Sequence, residues 1–179
     1  MTFLRLRLAA ALLSCACASG ALVVESTPDP SPASPRSPAP ASPADPAYAA
    51  VAARIVEHTN QARVNAGRSP LAVNARLMQA AQLQADQMAR AGKMAHTFPD
   101  ADHPTLSDRM AAARYEWSAM AENVAIDYRD AAGAVTGWMR SPGHRANLLN
   151  ATYTEIGAGY ATDARGHRYY AQVFGKPRQ

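Results

Sequence analysis

The sequence predicts an α+β fold, and three observations carry the prediction. Apolar residues recur at helical spacing through the first part of the folding region, a strand-like alternation closes it, and helices and strands are grouped rather than interleaved. Interleaving would have signalled a doubly wound parallel sheet. Grouping argues for helices layered on a sheet.

Taken in order, Tyr48 to Asn65 places Val51, Ile55 and Ala62 near helical spacing and stops before Gly67, a first helix. His58 falls beside its apolar stripe and reads as a packed or half-exposed helix histidine. After the break at Ser69-Pro70, Asn74 is a good N-cap for a second helix running to Ala91. Leu77, Ala81, Leu83, Ala85 and Met88 supply its buried side, and Gly92 stops it. Met88 and Met94 read as core filler. His96 to His103 is a loop whose Asp100 and Asp102 lack the spacing of a calcium-binding loop. Thr105-Leu106-Ser107-Asp108 resembles a capping box and opens a short third helix through Ala113.

Next comes Ala121-Glu122-Asn123-Val124-Ala125, a carboxylate and an amide among small apolar residues, where a charge requires a partner. Asp130 caps a fourth helix from Ala131 to Arg140, with Val135, Trp138 and Met139 facing inward. Ser141-Pro142 reads as another helix start, the serine hydroxyl capping and the proline at the first position. His144 then lies in the first turn, where the helix dipole disfavours an imidazolium. Ile156 to Tyr160, a turn at Asp163-Ala164-Arg165-Gly166, and Tyr169 to Phe174 form a β-hairpin.

The 179 residues divide into three regions. Residues 1–24 read as an export signal: Arg5 and Arg7 precede the apolar run Leu8 to Leu13, well short of the roughly 20 residues a spanning helix needs. Two processing routes fit. Leu12-Leu13-Ser14-Cys15 resembles a lipoprotein box with Cys15 as the lipidated residue, whereas Ala16-Cys17-Ala18 suits ordinary cleavage. Residues 25–47 hold eight of the thirteen prolines and read as a Pro/Ser/Ala-rich linker. Residues 48–179 form one domain.

Both cysteines, Cys15 and Cys17, sit in the signal, so the domain has neither a disulfide nor a cysteine nucleophile nor a cysteine-ligated metal. Within 48–179, 15 Lys and Arg face 11 Asp and Glu, a net of +4 without any basic run interleaved with aromatics. Nucleic acid is therefore not an expected partner, and a membrane is expected only through an N-terminal lipid anchor. A monomer is the expected state.

The chemistry-bearing candidates are His96, Glu122 and His144. Two imidazoles and a carboxylate suffice for zinc or another divalent cation with water in an open position, and the same groups suit acid–base work. They lie more than twenty positions apart and contain no compact H-E-x-x-H pattern. Ser141 lacks a G-x-S-x-G elbow, so no nucleophile and no catalytic residue is assigned.

Several stretches together resemble the CAP superfamily, also called SCP-like, which groups cysteine-rich secretory, antigen 5 and pathogenesis-related proteins. They are Asn60-Gln61-Ala62-Arg63, Pro70-Leu71, Arg109, Glu122-Asn123-Val124-Ala125, the run Trp138 to Leu149, Ile156-Gly157-Ala158-Gly159 and Gln172-Val173-Phe174. The match is to the short bacterial form. It implies a three-layer α-β-α sandwich around a central antiparallel sheet, with a cleft lined by His96, Glu122 and His144. Ala121 stands where the family's Gly-Glu-Asn motif has glycine. The second cleft glutamate of many eukaryotic members has no counterpart, since Asp127 and Asp130 are the only acids between Glu122 and His144.

The leading expectation is an exported, ligand-binding domain of the cell envelope or extracellular space, taking lipid, peptidoglycan or a protein ligand at the His/Glu cleft. One rival is a hydrolase of peptide or cell-wall substrates, using a metal-bound water or Glu122 as base with His144 as acid. Another is a scaffold whose polar cluster serves only the fold.

Overall fold

The computed structural model describes residues 45–179. The stretch read as an export signal and nearly all of the stretch read as a linker therefore lie outside the described residues. The elements in order are α1 (Pro46–Asn65), β1 (Ala72–Val73), α2 (Ala75–Ala91), α3 (Leu106–Ala112), β2 (Trp117–Ile126), α4 (Ala131–Arg140), α5 (Pro142–Leu149), β3 (Glu155–Thr162) and β4 (Arg168–Pro177).

Helix α1 starts two residues before Tyr48, inside the stretch read as linker. The Asp45 carboxylate accepts from Ala47 N at 2.8 Å and Pro46 takes the first turn, so the last proline of the run initiates structure rather than preventing it. The other caps fall where the sequence puts them. Asn74 accepts from Arg76 N, Gly92 ends α2 in the left-handed region at φ 61°, and Thr105 with Asp108 forms the reciprocal box of α3. Ser141 differs: its side chain makes no capping bond, and α5 begins on the Ser141 carbonyl, which accepts from Arg145 N at 2.8 Å.

The four strands form one sheet in the order β1-β3-β4-β2. β2, β4 and β3 are antiparallel neighbours, but β1 runs parallel to β3, so the sheet is mixed rather than wholly antiparallel. Strand β2 carries no strand signature in the sequence. Both of its faces are covered from Glu122 to Ala125, which removes the alternation a half-buried strand displays.

Helix α2 lies against one face of the sheet. A Cβ on Gly157 would collide with the main chain of Leu77, and one on Gly159 with that of Ala81, so these two glycines let helix and strand touch. On the opposite face Tyr160 packs edge-on against Tyr48 of α1, with ring centroids 5.2 Å apart. Helix α4 packs against α1 and α5 on that side, and α3 packs against α2. The result is a three-layer α-β-α sandwich with Trp138, Tyr169, Tyr170, Phe174, Ile55, Leu77 and Met88 in its interior. Met94 is not core filler: it lies just past the end of α2, 47% exposed.

Candidate functional site

Adjacent residues on a strand point to opposite faces, and the outer strand β2 uses this at Glu122 and Asn123. Glu122 turns toward α3 and the His96 loop, whereas Asn123 turns toward α1 and α5. Each meets a different set of partners.

On the Glu122 side, Arg109 of α3 is fully buried and its Nη2 donates to Glu122 Oε2 at 2.7 Å. The same guanidinium donates at 3.4 Å to the main-chain oxygens of His96 and Pro104 and to Gln87 Oε1. Glu122 Oε1 bonds His96 Nδ1 at 2.9 Å. The Glu122 side chain is 3% exposed and that of His96 57%, so a buried ion pair holds an imidazole out toward solvent. The bond from Glu122 and its charge raise the His96 pKa, partly opposed by burial and by Arg109.

On the Asn123 side every partner is neutral. Asn123 Nδ2 donates to the His144 carbonyl at 3.1 Å and to Gln172 Oε1 at 3.0 Å, and Asn147 Nδ2 donates to Asn123 Oδ1 at 3.0 Å. Gln172 Nε2 in turn donates to Thr59 Oγ1 at 2.5 Å, and that hydroxyl donates to the Ile55 carbonyl. This chain runs through the sandwich from α1 to the first turn of α5 and fixes the main chain at His144. Burial, and secondarily the charge of His96, lower the His144 pKa, in the direction expected from its place in the helix.

The free edge of β2 is closed by side chains. Tyr153 Oη, Asn147 Nδ2 and Trp138 Nε1 donate to the carbonyls of Met120, Glu122 and Val124 at 3.4, 3.4 and 3.0 Å. The run Trp138 to Leu149 therefore wraps the edge as well as carrying His144.

Of the three predicted residues, His96 and Glu122 are in direct contact; His144 bonds neither, since its carbonyl accepts from Asn123 on the other face, and it is linked to them only through the charge of His96. Among the described residues no group of three or more His, Cys, Asp or Glu side chains could hold a metal ion. Glu122, expected to complete a three-ligand shell for zinc or another divalent cation, has one oxygen on His96 and the other on Arg109. A cation using Oε1 would take the place of the His96 bond, while Oε2 stays on the buried Arg109 guanidinium.

Asp127 and Asp130 do not replace the missing second glutamate. Asp127, in the left-handed region at φ 59°, bonds His167 Nδ1 at 2.8 Å, and Asp130 caps α4 through Gly133 N at 2.8 Å. Asp100 and Asp102 are exposed loop residues, and His58 is half-buried on α1.

Arg109, Gln172 and Thr59 are the site residues that sequence reasoning did not assign. Arg109 beside Met110 in a short helix and Gln172 inside an apolar strand were the available signals, since such groups are buried only with partners.

The model of the family described as "CAP: Cysteine-rich secretory protein family" matches residues 56–174. YkwD of Bacillus subtilis is 28% identical over 152 residues, covering 85% of this chain and 58% of the relative. The membrane protein YlbC of the same species is 31% identical over 121 residues, covering 68% of this chain and 33% of that protein. The chain thus spans less than two thirds of either relative's length. A solved extracellular protein containing a SCP domain, from Bacillus anthracis, superposes with a TM-score of 0.65 at 27% identity, over 72% of this chain and 41% of its own. With the sandwich, the two-sided Glu122-Asn123 pair and the His144 helix in place, the chain belongs to the CAP family.

Proposed function

We propose that this protein is an exported CAP domain that binds a ligand of the envelope or extracellular space in the cleft at His96, Glu122 and His144. The observation that carries this reading is an accessible imidazole held by a buried ion pair. Burying Glu122 and Arg109 together is expensive unless both are satisfied, and a less costly apolar pair would serve packing as well. What the pair supplies in addition is a fixed, solvent-facing His96. A preoriented imidazole of this kind engages a ligand without having to be ordered at the moment of binding.

The same geometry weakens the hydrolase reading. A general base must reach the proton it removes, and Glu122 is 3% exposed with both oxygens engaged. Glu122 acts here as a positioning group. Lipid, peptidoglycan fragments and protein partners remain the ligand classes to screen. Export agrees with the signal-like N-terminus and with the extracellular relative. Among the described residues no helix is long and apolar enough to cross a membrane.

The test is a binding screen of the full chain against envelope lipids and cell-wall fragments, repeated with His96→Asn and His144→Asn. A ligand bound by the parent and lost by both variants, each still folded by near-UV circular dichroism, supports the cleft. Binding that survives both substitutions places the ligand elsewhere and overturns the proposal.

A further inference from the structure

Helix α5 has a second face. His144, Asn147 and Leu148 turn toward the sheet, whereas Pro142, Arg145 and Leu149 recur at the spacing of the opposite side and line a pocket of about 560 Å³. Met139 and Arg140 from the end of α4 and Arg68 from the turn after α1 complete it. Its volume falls within the roughly 300–1,000 Å³ of small-molecule sites.

The charge of this pocket is one-sided. Arg68, Arg140 and Arg145 are exposed, no acidic residue lines the pocket, and among the described residues none of the three forms an ion pair. Close behind, Arg63 is buried without one, its guanidinium satisfied by the carbonyls of Ser69, Leu148 and Asn150 at 2.9, 2.7 and 3.0 Å. Burial and the nearby charge of Arg68 both lower the Arg63 pKa, so Arg63 adds a further positive charge beside Arg68.

A guanidinium prefers to meet two acceptor oxygens at once. One carboxylate satisfies one such fork, whereas three forks require an anion with at least three acceptor oxygens. Phosphate monoesters have that geometry, and Met139, Pro142 and Leu149 offer apolar wall to the organic part of the ester. We propose that the Arg68/Arg140/Arg145 pocket binds a phosphate monoester anion, independently of the His/Glu cleft.

The test uses the full chain and two sources of the same chemistry: soluble glycerol 3-phosphate, and phosphatidylcholine vesicles with or without phosphatidic acid. Amide shifts report the first and cosedimentation the second. The expected result is saturable perturbation of Arg68 and of residues 139–149 by glycerol 3-phosphate but not by acetate or glycerol. Each single Arg→Gln substitution should weaken it about tenfold, the loss of one charge-assisted interaction. Phosphatidic acid-dependent sedimentation that is lost in R68Q/R140Q/R145Q identifies the lipid headgroup as a source. Binding of the soluble ester alone identifies a free ester.

His96→Asn should leave both readouts unchanged, which separates this pocket from the cleft. All three arginines are exposed, so the triple variant should melt as the parent does. Equal response to acetate, binding retained in the folded triple variant, loss of binding in His96→Asn, or no saturable binding to either source would each overturn the assignment.

Discussion

The two sides of β2 solve one problem by different means. Glu122 is stabilised by a full ionic partner, Arg109, and passes its remaining oxygen to a histidine in solvent. Asn123, one residue later, is stabilised by a chain of neutral amides and a hydroxyl ending on α1. The ionic side positions a side chain, His96. The neutral side positions a backbone, the first turn of α5. The difference teaches that the Glu-Asn pair acts as a two-way anchor, bringing loop and helix to one sheet edge from opposite layers.

The comparison breaks most sharply at the ion pair. Arg109→Met leaves Glu122 buried without its counter-charge and should lower unfolding free energy by about 3–5 kcal/mol in chemical denaturation. Gln172→Ala on the neutral side interrupts the amide chain and should lower it less, by about 1–3 kcal/mol, because it strands neutral groups. A larger loss from Gln172→Ala than from Arg109→Met would reverse the ranking of the two sides.

The histidines sharpen the contrast at smaller magnitude. The His96 pKa is raised on folding, so its stabilisation is full below the unfolded value of about 6.5 and fades as pH rises through the folded value. The His144 pKa is lowered, so its contribution is full above about 6.5 and fades as pH falls through its folded value. The destabilisation caused by His96→Asn should therefore grow on acidification from roughly pH 8 to roughly pH 5, and that of His144→Asn should shrink. Each change should stay below about 1 kcal/mol, since His96 is more than half exposed and His144 only partly buried. Parallel pH trends for the two variants would contradict the assigned environments.

Legibility in the sequence followed the locality of the cause. Asn74, Gly92, Thr105 with Asp108, and Asp130 mark helix ends through bonds spanning two or three residues, and each lies where the sequence places it. The hairpin reads equally well, because Asp163 accepts from Arg165 N and His167 N while Gly166 takes φ 84°. Strand β2 did not read as a strand, because its partners are β4 and the wrapping run from Trp138, both distant in sequence. The cap at Ser141 reads correctly as a helix start but not as a side-chain bond, since the backbone alone closes that turn. His96, Glu122 and His144 were recognisable by residue type and family resemblance. Arg109 as the partner of Glu122 was not, because that pairing joins a helix to a strand with no local signal between them.

The most direct test of this account is a histidine-resolved NMR titration of the full chain beside Glu122→Gln. His96 should titrate above an ordinary histidine and His144 below one. In Glu122→Gln, His96 should fall below the ordinary value, because burial and Arg109 then act on it unopposed. A His96 that titrates unchanged in the variant, or below His144 in the parent, would contradict the claim that Glu122 exists to hold it.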